Sequence, residues 1–519
     1  MLTFGELTQR NGLNRGKHDA FVESDRRINW ATFDQRTDAL AHAFKNLGIS
    51  QNSRVAMLAP DCIEVAELLI ACAKSGIVRV GLNIRLSAPE NAHLIDDSQP
   101  DCLIVPVAAM CKAKEALAIS KHQPKLIGLG EQHDCELDYE TLIQQEFTSG
   151  PFTQTPSEIL MLCYTTGSTG LPKGAIYEHQ KLLNSILYTS LCEGATHDDV
   201  WLHAMPAGDV PVMHLFRNIF HGSTSVIVGE WQAEKALQLI EREKTTRTVL
   251  VPTMVASLLE SPELKNTDLS SMQLLGYGAS PMPPAMIRQA MDAFGCPLLQ
   301  MFGTTELTGM ATMLLPCDHQ LSLNGQPDIL NSAGKPLPWV DIRIVDEEGL
   351  EVPTGEMGEL VIRSEFTISG YWNQPEKYAE TVKDGWLYTG DFARQDENGY
   401  VYLGDRVEFR MKSGGYNVYP TEVEAVVAEH PDVSEVCVVG IPDAHWGDRI
   451  HAVVTLKPGH ETCSEAIKDF CEGQIARFKI PKTLDIWQEL PKGATGKILK
   501  RAVLDHYNNE QNSRERTHS

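Results

Sequence analysis

The chain has 519 residues, 42% of them hydrophobic and 22% charged, with a formal net charge of −24 at pH 7. That length exceeds what one hydrophobic core serves, so two or more domains are expected. The acidic balance argues against nucleic acid or an anionic membrane as the main partner, because both reward clustered Lys and Arg, and an anionic small ligand has to be held by local groups.

The twelve cysteines are scattered without C-x-x-C spacing, mostly inside apolar runs such as AELLIACA, which fits reduced buried thiols and argues against a zinc site. The N-terminus MLTFGELTQRNGLNRGKHD has no apolar segment of signal-peptide length, and no run of about 18 uncharged apolar residues occurs. A cytoplasmic protein without integral membrane association is expected.

In chain order, RVAMLAP (54–60), DCIEVAELLIACAKSG and VRVGLN (78–83) read as strand, helix and strand. DCLIVP (101–106) precedes an Ala/Lys-rich helix; TSVIVG (224–229) leads into the helical QAEKALQLIEREK, and RTVLVP (247–252) follows. This rhythm predicts parallel sheets covered by helices. Beyond about 335 the texture changes to strands with turn signals, DIRIVDEEGLEV, GELVIRS and a hairpin around Asn398-Gly399. After Asp405 a small α+β unit is expected from PTEVEAVVAEHPDVSEVCVVGI and RIHAVVTLKPG, and the tail NNEQNSRERTHS is polar.

One stretch carries chemistry by itself. The apolar run EILMLCY (158–164) enters TTGSTGLPKG, where Gly167, Gly170 and Gly174 let backbone N–H groups converge, Thr165, Thr166, Ser168 and Thr169 supply short donors, and Lys173 adds a charge. These are the components of a phosphate-gripping loop. The common G-x4-G-K-[ST] nucleotide loop is not matched, since Pro172 stands five residues beyond Gly167. A plain surface turn would explain the glycines but not the apolar strand that runs straight into them.

Together with that loop, MFGTTE (301–306), GYWNQPEKYAETVKDGWLYTGD (370–391), GDRVEFRMKSGGYNVYPTEVE (404–424) and PKGATGKILKR (491–501) stand in the order and spacing of the adenylate-forming acyl-CoA synthetase superfamily. The chain resembles that superfamily over nearly its whole length. The resemblance implies an α/β fold: a large N-terminal domain of helix-covered parallel sheets with a small β-barrel-like subdomain (1–405), then a small mobile α+β C-terminal domain (406–519). It also implies two half-reactions. A carboxylic acid attacks the α-phosphate of ATP to give an acyl-adenylate and pyrophosphate, and a thiol, usually coenzyme A, then displaces AMP.

By the same resemblance, residues Thr165 to Lys173 wrap the β- and γ-phosphates. Phe302 stacks on adenine, Gly303 and Thr304 complete that motif, Thr305 holds the α-phosphate, and Glu306 binds Mg2+, whose other ligands come from phosphates and water. In GYGAS (276–280), Gly278, Ala279 and Ser280 resemble the small-residue segment flanking adenine; a plain turn is the alternative. Asp391 resembles the carboxylate that takes both ribose hydroxyls, and Arg406, one residue past a strand, the arginine that reaches ribose and phosphate. Lys497 resembles the mobile-domain lysine that meets the α-phosphate and the acid. Lys492, Lys500 and Arg501 read as solvated charges. Rotation about a hinge at Glu408 would withdraw Lys497 and bring forward the loop of Lys412, Ser413, Gly414 and Gly415 to line a thiol channel.

Three departures stand out. The first loop reads TTGSTG where the family prefers Ser-Gly-Thr-Thr, with hydroxyls and glycines preserved. Glu408 and Phe409 replace the usual acidic or basic hinge residue and a second acid, which bears on the thioester half. In MPAGDVPVMHLF, Gly208 and Asp209 stand where the family has an aromatic residue and a histidine in the acid-binding wall. The glycine would open volume for a bulky or cyclic acid, and Asp209 faces the substrate or caps the next helix. Val212, Met213 and His214 complete this wall, His214 being either a replacement for the missing histidine or a structural residue.

The expected activity is an AMP-forming acid–thiol ligase using ATP, Mg2+ and coenzyme A on a hydrophobic, medium-to-large fatty, aromatic or alicyclic acid. Transfer of the acyl-adenylate to a carrier-protein thiol or an amino acid amine is the alternative. A catalytically silent nucleotide-binding regulator fits less well, because it has no use for a metal carboxylate and two phosphate lysines together. Neither the acid nor the oligomeric state, a homodimer included, is written in the sequence.

Overall fold

The computed structural model describes residues 2–146, 150–152, 157–165, 172–208, 210–406, 409, 411–413, 416–443, 446–472, 474–493 and 498–507. The chain forms two compact units, Met1–Asp341 with Ile362–Leu387, and Ile342–Val361 with Tyr388–Ser519.

The first unit holds two helix-covered sheets. One runs in the order Leu137–Asp138, Lys125–Leu129, Cys102–Pro106, Arg54–Met57, Val78–Gly81, Ile159–Thr165 and Lys173–Glu178. Its strands are parallel up to Ile159–Thr165, which pairs antiparallel with Lys173–Glu178. The near-continuous apolar runs in Cys102–Pro106 and Ile159–Thr165 are what a sheet buried on both faces requires. The helix Ile63–Ser75 is buried at every residue and stops at Gly76, whose φ of 70° only glycine adopts without strain.

The second sheet places Leu298–Phe302, Leu274–Gly278, Arg247–Leu250, Val200–His203, Thr224–Ile227 and Asp19–Glu23 side by side and parallel. Antiparallel strands close both edges. The carboxyl ends of Val200–His203, Leu274–Gly278 and Leu298–Phe302 therefore share one rim, the place where open α/β sheets bind ligands. Each segment singled out from the sequence in this half leaves the sheet at that rim.

Buried ions lock the first unit. Arg36 donates to Glu67 at 2.5 and 3.1 Å and to Glu140 at 2.6 and 3.0 Å, while the Tyr139 hydroxyl donates to Glu67 at 2.8 Å. Burial pushes the Glu67 carboxyl up and Arg36 holds it down. At the N-terminus, a Thr3/Glu6 capping box starts the helix Phe4–Asn14, and the Phe4 N–H donates to His179 Nε2 at 3.0 Å.

The second unit holds most of a curled antiparallel sheet (Asp341–Val345, Gly358–Arg363, Trp386–Gln395, Val401–Arg406) and a C-terminal α+β sheet. In the latter, Val433–Asp443 pairs with Gly447–Leu456 and the helix Pro420–Ala428 packs its Val423 and Val427 into the core. The hairpin around Asn398-Gly399 pairs Gln395 with Val401, and Asp396 caps its turn by accepting from the Asn398 and Tyr400 amides. No helix among the described residues is long and apolar enough to cross a membrane. All twelve cysteines are free, and Cys111, Cys317 and Cys463 are exposed rather than buried.

Candidate active site

The strands Ile159–Thr165 and Lys173–Glu178 pair so that Thr165 lies opposite Lys173 at the open end of the ladder. Thr166, Gly167, Ser168, Thr169 and Gly170 lie outside the described residues. The buried Thr165 hydroxyl has no hydrogen-bond partner among the described residues. Lys173 Nζ stands 4.6 Å from the centroid of the Tyr371 ring, a cation–π contact.

Tyr371 ties this ladder to the MFGTTE segment. Its backbone bridges Ala175, the Trp372 N–H donates to the Gly174 carbonyl at 2.7 Å, and the Tyr371 hydroxyl donates to Glu306 Oε1 at 2.7 Å. One ring therefore carries the lysine of the loop on its face and the carboxylate of MFGTTE on its hydroxyl. Tyr177 donates to the Thr305 carbonyl at 2.9 Å, and the Ile368 N–H donates to the Glu306 carbonyl at 2.9 Å. Asp97 anchors the other side: it accepts from the Tyr164 hydroxyl at 2.7 Å, and its carbonyl accepts from the Trp372 indole at 3.2 Å.

At the rim, Phe302 is half-buried and ends its strand, followed by exposed Gly303 and half-buried Thr304, Thr305 and Glu306. The Thr304 Oγ1 atom is buried without a partner among the described residues, so a second hydroxyl here has unused hydrogen-bonding capacity. Gly303 is required by packing: a Cβ there would stand 2.2 Å from the Gly309 carbonyl. In the neighbouring GYGAS segment a Cβ on Gly278 would stand 2.4 Å from the Met301 carbonyl, so the close approach at this glycine is strand to strand. Ala279 is exposed with a φ of 66°, a left-handed conformation that costs a residue with a Cβ, and Ser280 beside it is half-buried.

In the second unit, Asp391 faces Arg406 directly across the antiparallel pair. Arg406 is the last residue of its strand, not one past it. The turn before Asp391 is held by the Thr389 hydroxyl, which donates to the Leu360 carbonyl at 2.7 Å and accepts the Asp391 N–H at 3.0 Å. Ser413 is buried and pairs with Tyr416, while the exposed Lys412 donates its backbone N–H to Asp448 at 2.7 Å. Gly414, Gly415, Glu408 and Lys497 lie outside the described residues. Lys492, Lys500 and Arg501 are not simply solvated: each pairs with a carboxylate, Glu435 at 2.8 Å, Glu424 at 2.9 Å and Asp505 at 3.2 Å.

The acid wall departs most from the sequence expectation. A Cβ on Gly208 would meet the Leu82 carbonyl at 2.7 Å and the Asn83 Cα at 3.3 Å, and one on Gly81 would meet the Gly208 carbonyl at 2.1 Å. Gly208 is glycine because two backbones cross there, so the direction a side chain would take holds no free volume. Asp209 lies outside the described residues. Val212 and Met213, on the helix Val212–His221, are buried in the main core cluster. His214, on the same helix, is half-buried, and Arg217 donates to its Nδ1 at 3.1 Å.

Sequence reading missed Tyr371, Tyr177 and Asp97. Tyr371 sits inside a quoted motif, GYWNQPEKY, and an aromatic residue one step from a conspicuous tryptophan was the available signal.

The AMP-binding enzyme family model matches residues 8–372, and that for the AMP-binding enzyme C-terminal domain matches residues 422–497. An indoleacetate–CoA ligase from Aromatoleum aromaticum is 32% identical over 95% of this chain and 96% of its own. A fatty acid–[acyl-carrier-protein] ligase, ScoC, from Streptomyces coeruleorubidus is 31% identical over 93% of this chain and 92% of its own. Among solved structures, the amide bond synthetase McbA from Marinactinospora thermotolerans superposes with a TM-score of 0.87 at 27% identity, covering 98% of this chain and 100% of that one.

Proposed function

Because this chain belongs to the AMP-binding enzyme family and is an adenylate-forming acid ligase, we propose that it is an ATP-dependent carboxylic acid:CoA ligase acting on a hydrophobic, medium-to-large acid. The observation that carries the reading is the Tyr371 ring, which holds Lys173 on its face and Glu306 on its hydroxyl. A lysine and a carboxylate placed within one side chain of each other suit a metal-bound polyphosphate, whose negative oxygens need both a fixed cation and a metal ligand. The Thr165 and Thr304 hydroxyls, which have no hydrogen-bond partner among the described residues, supply further donors in this reading.

In this reading Glu306 is the protein ligand of Mg2+, which would neutralise phosphate charge. One carboxylate fits Mg2+ better than an all-protein cage would, and among the described residues no cluster of three or more His, Cys, Asp or Glu forms a cage. Phe302, Gly278, Ala279, Ser280 and Gly303 border adenine, Thr305 holds the α-phosphate, and Asp391 and Arg406, cross-strand neighbours, address the ribose. Residues 406–519 act as the mobile domain whose Lys497 serves adenylation and whose Lys412–Gly415 loop serves the thiol step.

A second acceptor class is kept open by the Streptomyces carrier-protein ligase and the amide bond synthetase, both similar to this chain over nearly its full length. The deciding experiment is pyrophosphate release with ATP and Mg2+ across short, long-chain, aromatic and alicyclic acids, with and without CoA. Release that needs one acid class and accelerates with CoA is expected. Acid-dependent release that CoA leaves unchanged would move the assignment to a carrier protein or an amine.

A further inference from the structure

The helix Ala88–Ser98 reaches the ladder that carries Thr165 and Lys173, and it is itself firmly seated. A Ser87/Glu90 capping box starts it, and Asn91 Nδ2 donates to the Asn83 and Leu86 carbonyls, each at 3.2 Å. Its Leu94 and Ile95 are buried in one core cluster with Leu86 and Tyr164.

Two side chains one turn apart on this helix, His93 and Asp97, reach the residues on either side of Lys173. His93 Nε2 lies 3.1 Å from the carbonyl of the buried Pro172, and since a carbonyl only accepts, that nitrogen carries the proton. Asp97 Oδ2 accepts from the Tyr164 hydroxyl at 2.7 Å, and the Asp97 carbonyl accepts from the Trp372 indole at 3.2 Å and from Asn373 Nδ2 at 3.1 Å. The side chains seated on Asp97 close on Gly174: a Cβ there would stand 3.1 Å from Tyr164 Cζ and 3.3 Å from Trp372 Cβ, and the Trp372 N–H donates to the Gly174 carbonyl at 2.7 Å. Lys173 is thus gripped before and after, at Pro172 by His93 and at Gly174 by the groups that Asp97 holds. The Tyr164 hydroxyl bond also fixes the strand one residue before Thr165, which pairs with Lys173 across the ladder. A lysine ammonium is a point charge on a flexible stem, so where it can stand depends on how firmly the backbone at its root is held.

We propose that His93 and Asp97 are positioning residues for the β- and γ-phosphates of ATP: they set where Lys173 and Thr165 stand, so that cutting either contact weakens a nucleoside triphosphate and spares a nucleoside monophosphate. The proposal rests on the ligase reading above, in which Lys173 and Thr165 meet those phosphates, and adds the helix that places them. Neither residue touches the nucleotide in this account, and each acts through the backbone it holds.

The test compares the dissociation constants of MgATP and of AMP, which has no β- or γ-phosphate, by isothermal titration of the full chain without any acid. His93→Leu removes the donor and keeps bulk, His93→Gln restores an N–H, and Tyr164→Phe cuts the hydroxyl from Asp97 while keeping the ring against Gly174. We expect His93→Leu to weaken MgATP about fivefold, the size of one hydrogen bond, with AMP within about twofold of wild type. His93→Gln should stay within about twofold of wild type for both ligands. Tyr164→Phe should repeat the His93→Leu pattern, and it decides the matter if the Leu variant does not fold. Residues that only support the fold would weaken AMP along with MgATP, which overturns the proposal. So does an unchanged MgATP affinity in the folded variants, or a His93→Gln variant as weak as His93→Leu. If the folded wild type binds neither AMP nor MgATP, the ligase reading falls and takes this proposal with it; binding of both without a split in the variants removes the proposal alone.

Discussion

Tyr371→Phe isolates one hydroxyl. The substitution keeps the ring on which Lys173 rests, 4.6 Å from its centroid, and removes the 2.7 Å hydrogen bond to Glu306 Oε1. Hydrogen bonds to charged groups contribute about 1.5–3 kcal/mol, and about 1.4 kcal/mol is a factor of ten. Glu306 is only half-buried, so water replaces part of the lost bond and the lower end applies. Partners that orient a metal-binding carboxylate typically matter by about 10- to 100-fold, which brackets the same value. We therefore expect kcat/KM for MgATP to fall about tenfold, with a higher Mg2+ requirement and an unchanged thermal midpoint. The assay is initial-rate pyrophosphate release under Mg2+ titration at saturating acid. A variant within about twofold of wild type at every Mg2+ concentration would refute the idea that Tyr371 positions a functional carboxylate.

Other perturbations follow from the packing. Gly303→Ala puts a Cβ 2.2 Å from the Gly309 carbonyl with backbone on both sides, so it should cost about 1–3 kcal/mol and show as a lower melting midpoint together with reduced adenylation. Arg36→Met strips the buried Glu67 of its cation and should destabilise the first unit by about 3–5 kcal/mol, read in urea unfolding. His179, which accepts the Phe4 N–H, has its pKa lowered by burial from 6.5 to about 4. Its stabilising share is complete above about pH 6.5 and is lost as pH falls toward 4, about 3 kcal/mol across that window. His179→Gln should flatten the stability–pH slope between pH 6.5 and 4, and an unchanged slope would contradict it.

What was legible in the sequence was local. The strand into the glycine loop, the helix Ile63–Ser75 and the Asn398-Gly399 hairpin depend on neighbouring residues, and each stands where its pattern placed it. The curled sheet and the C-terminal α+β sheet were legible from the same turn and alternation signals. The role of Tyr371 was not, because it depends on a carboxylate 65 residues away, and Trp372 beside it is fixed by Asp97, 275 residues away. The surroundings of Gly208 were hidden for the same reason. From its own segment it looks like an aromatic residue traded for space, whereas the structure sets it against Leu82 and Asn83, at the end of a strand in the other sheet. Val212 and Met213, expected in a ligand wall, are buried in the main core cluster, a packing that two apolar residues do not announce in sequence.

The central claim is that one active site converts a carboxylic acid to an acyl-adenylate and passes the acyl group to coenzyme A. The measurement that tests it most directly follows α-phosphate-labelled ATP and the acid in one reaction, with CoA added after the first turnover. The account predicts enzyme-held acyl-AMP before the addition, then AMP and an acyl-CoA thioester in equal amounts after it. Acyl-AMP that persists when CoA is added, yet is discharged by a carrier-protein phosphopantetheine or an amine, would contradict it.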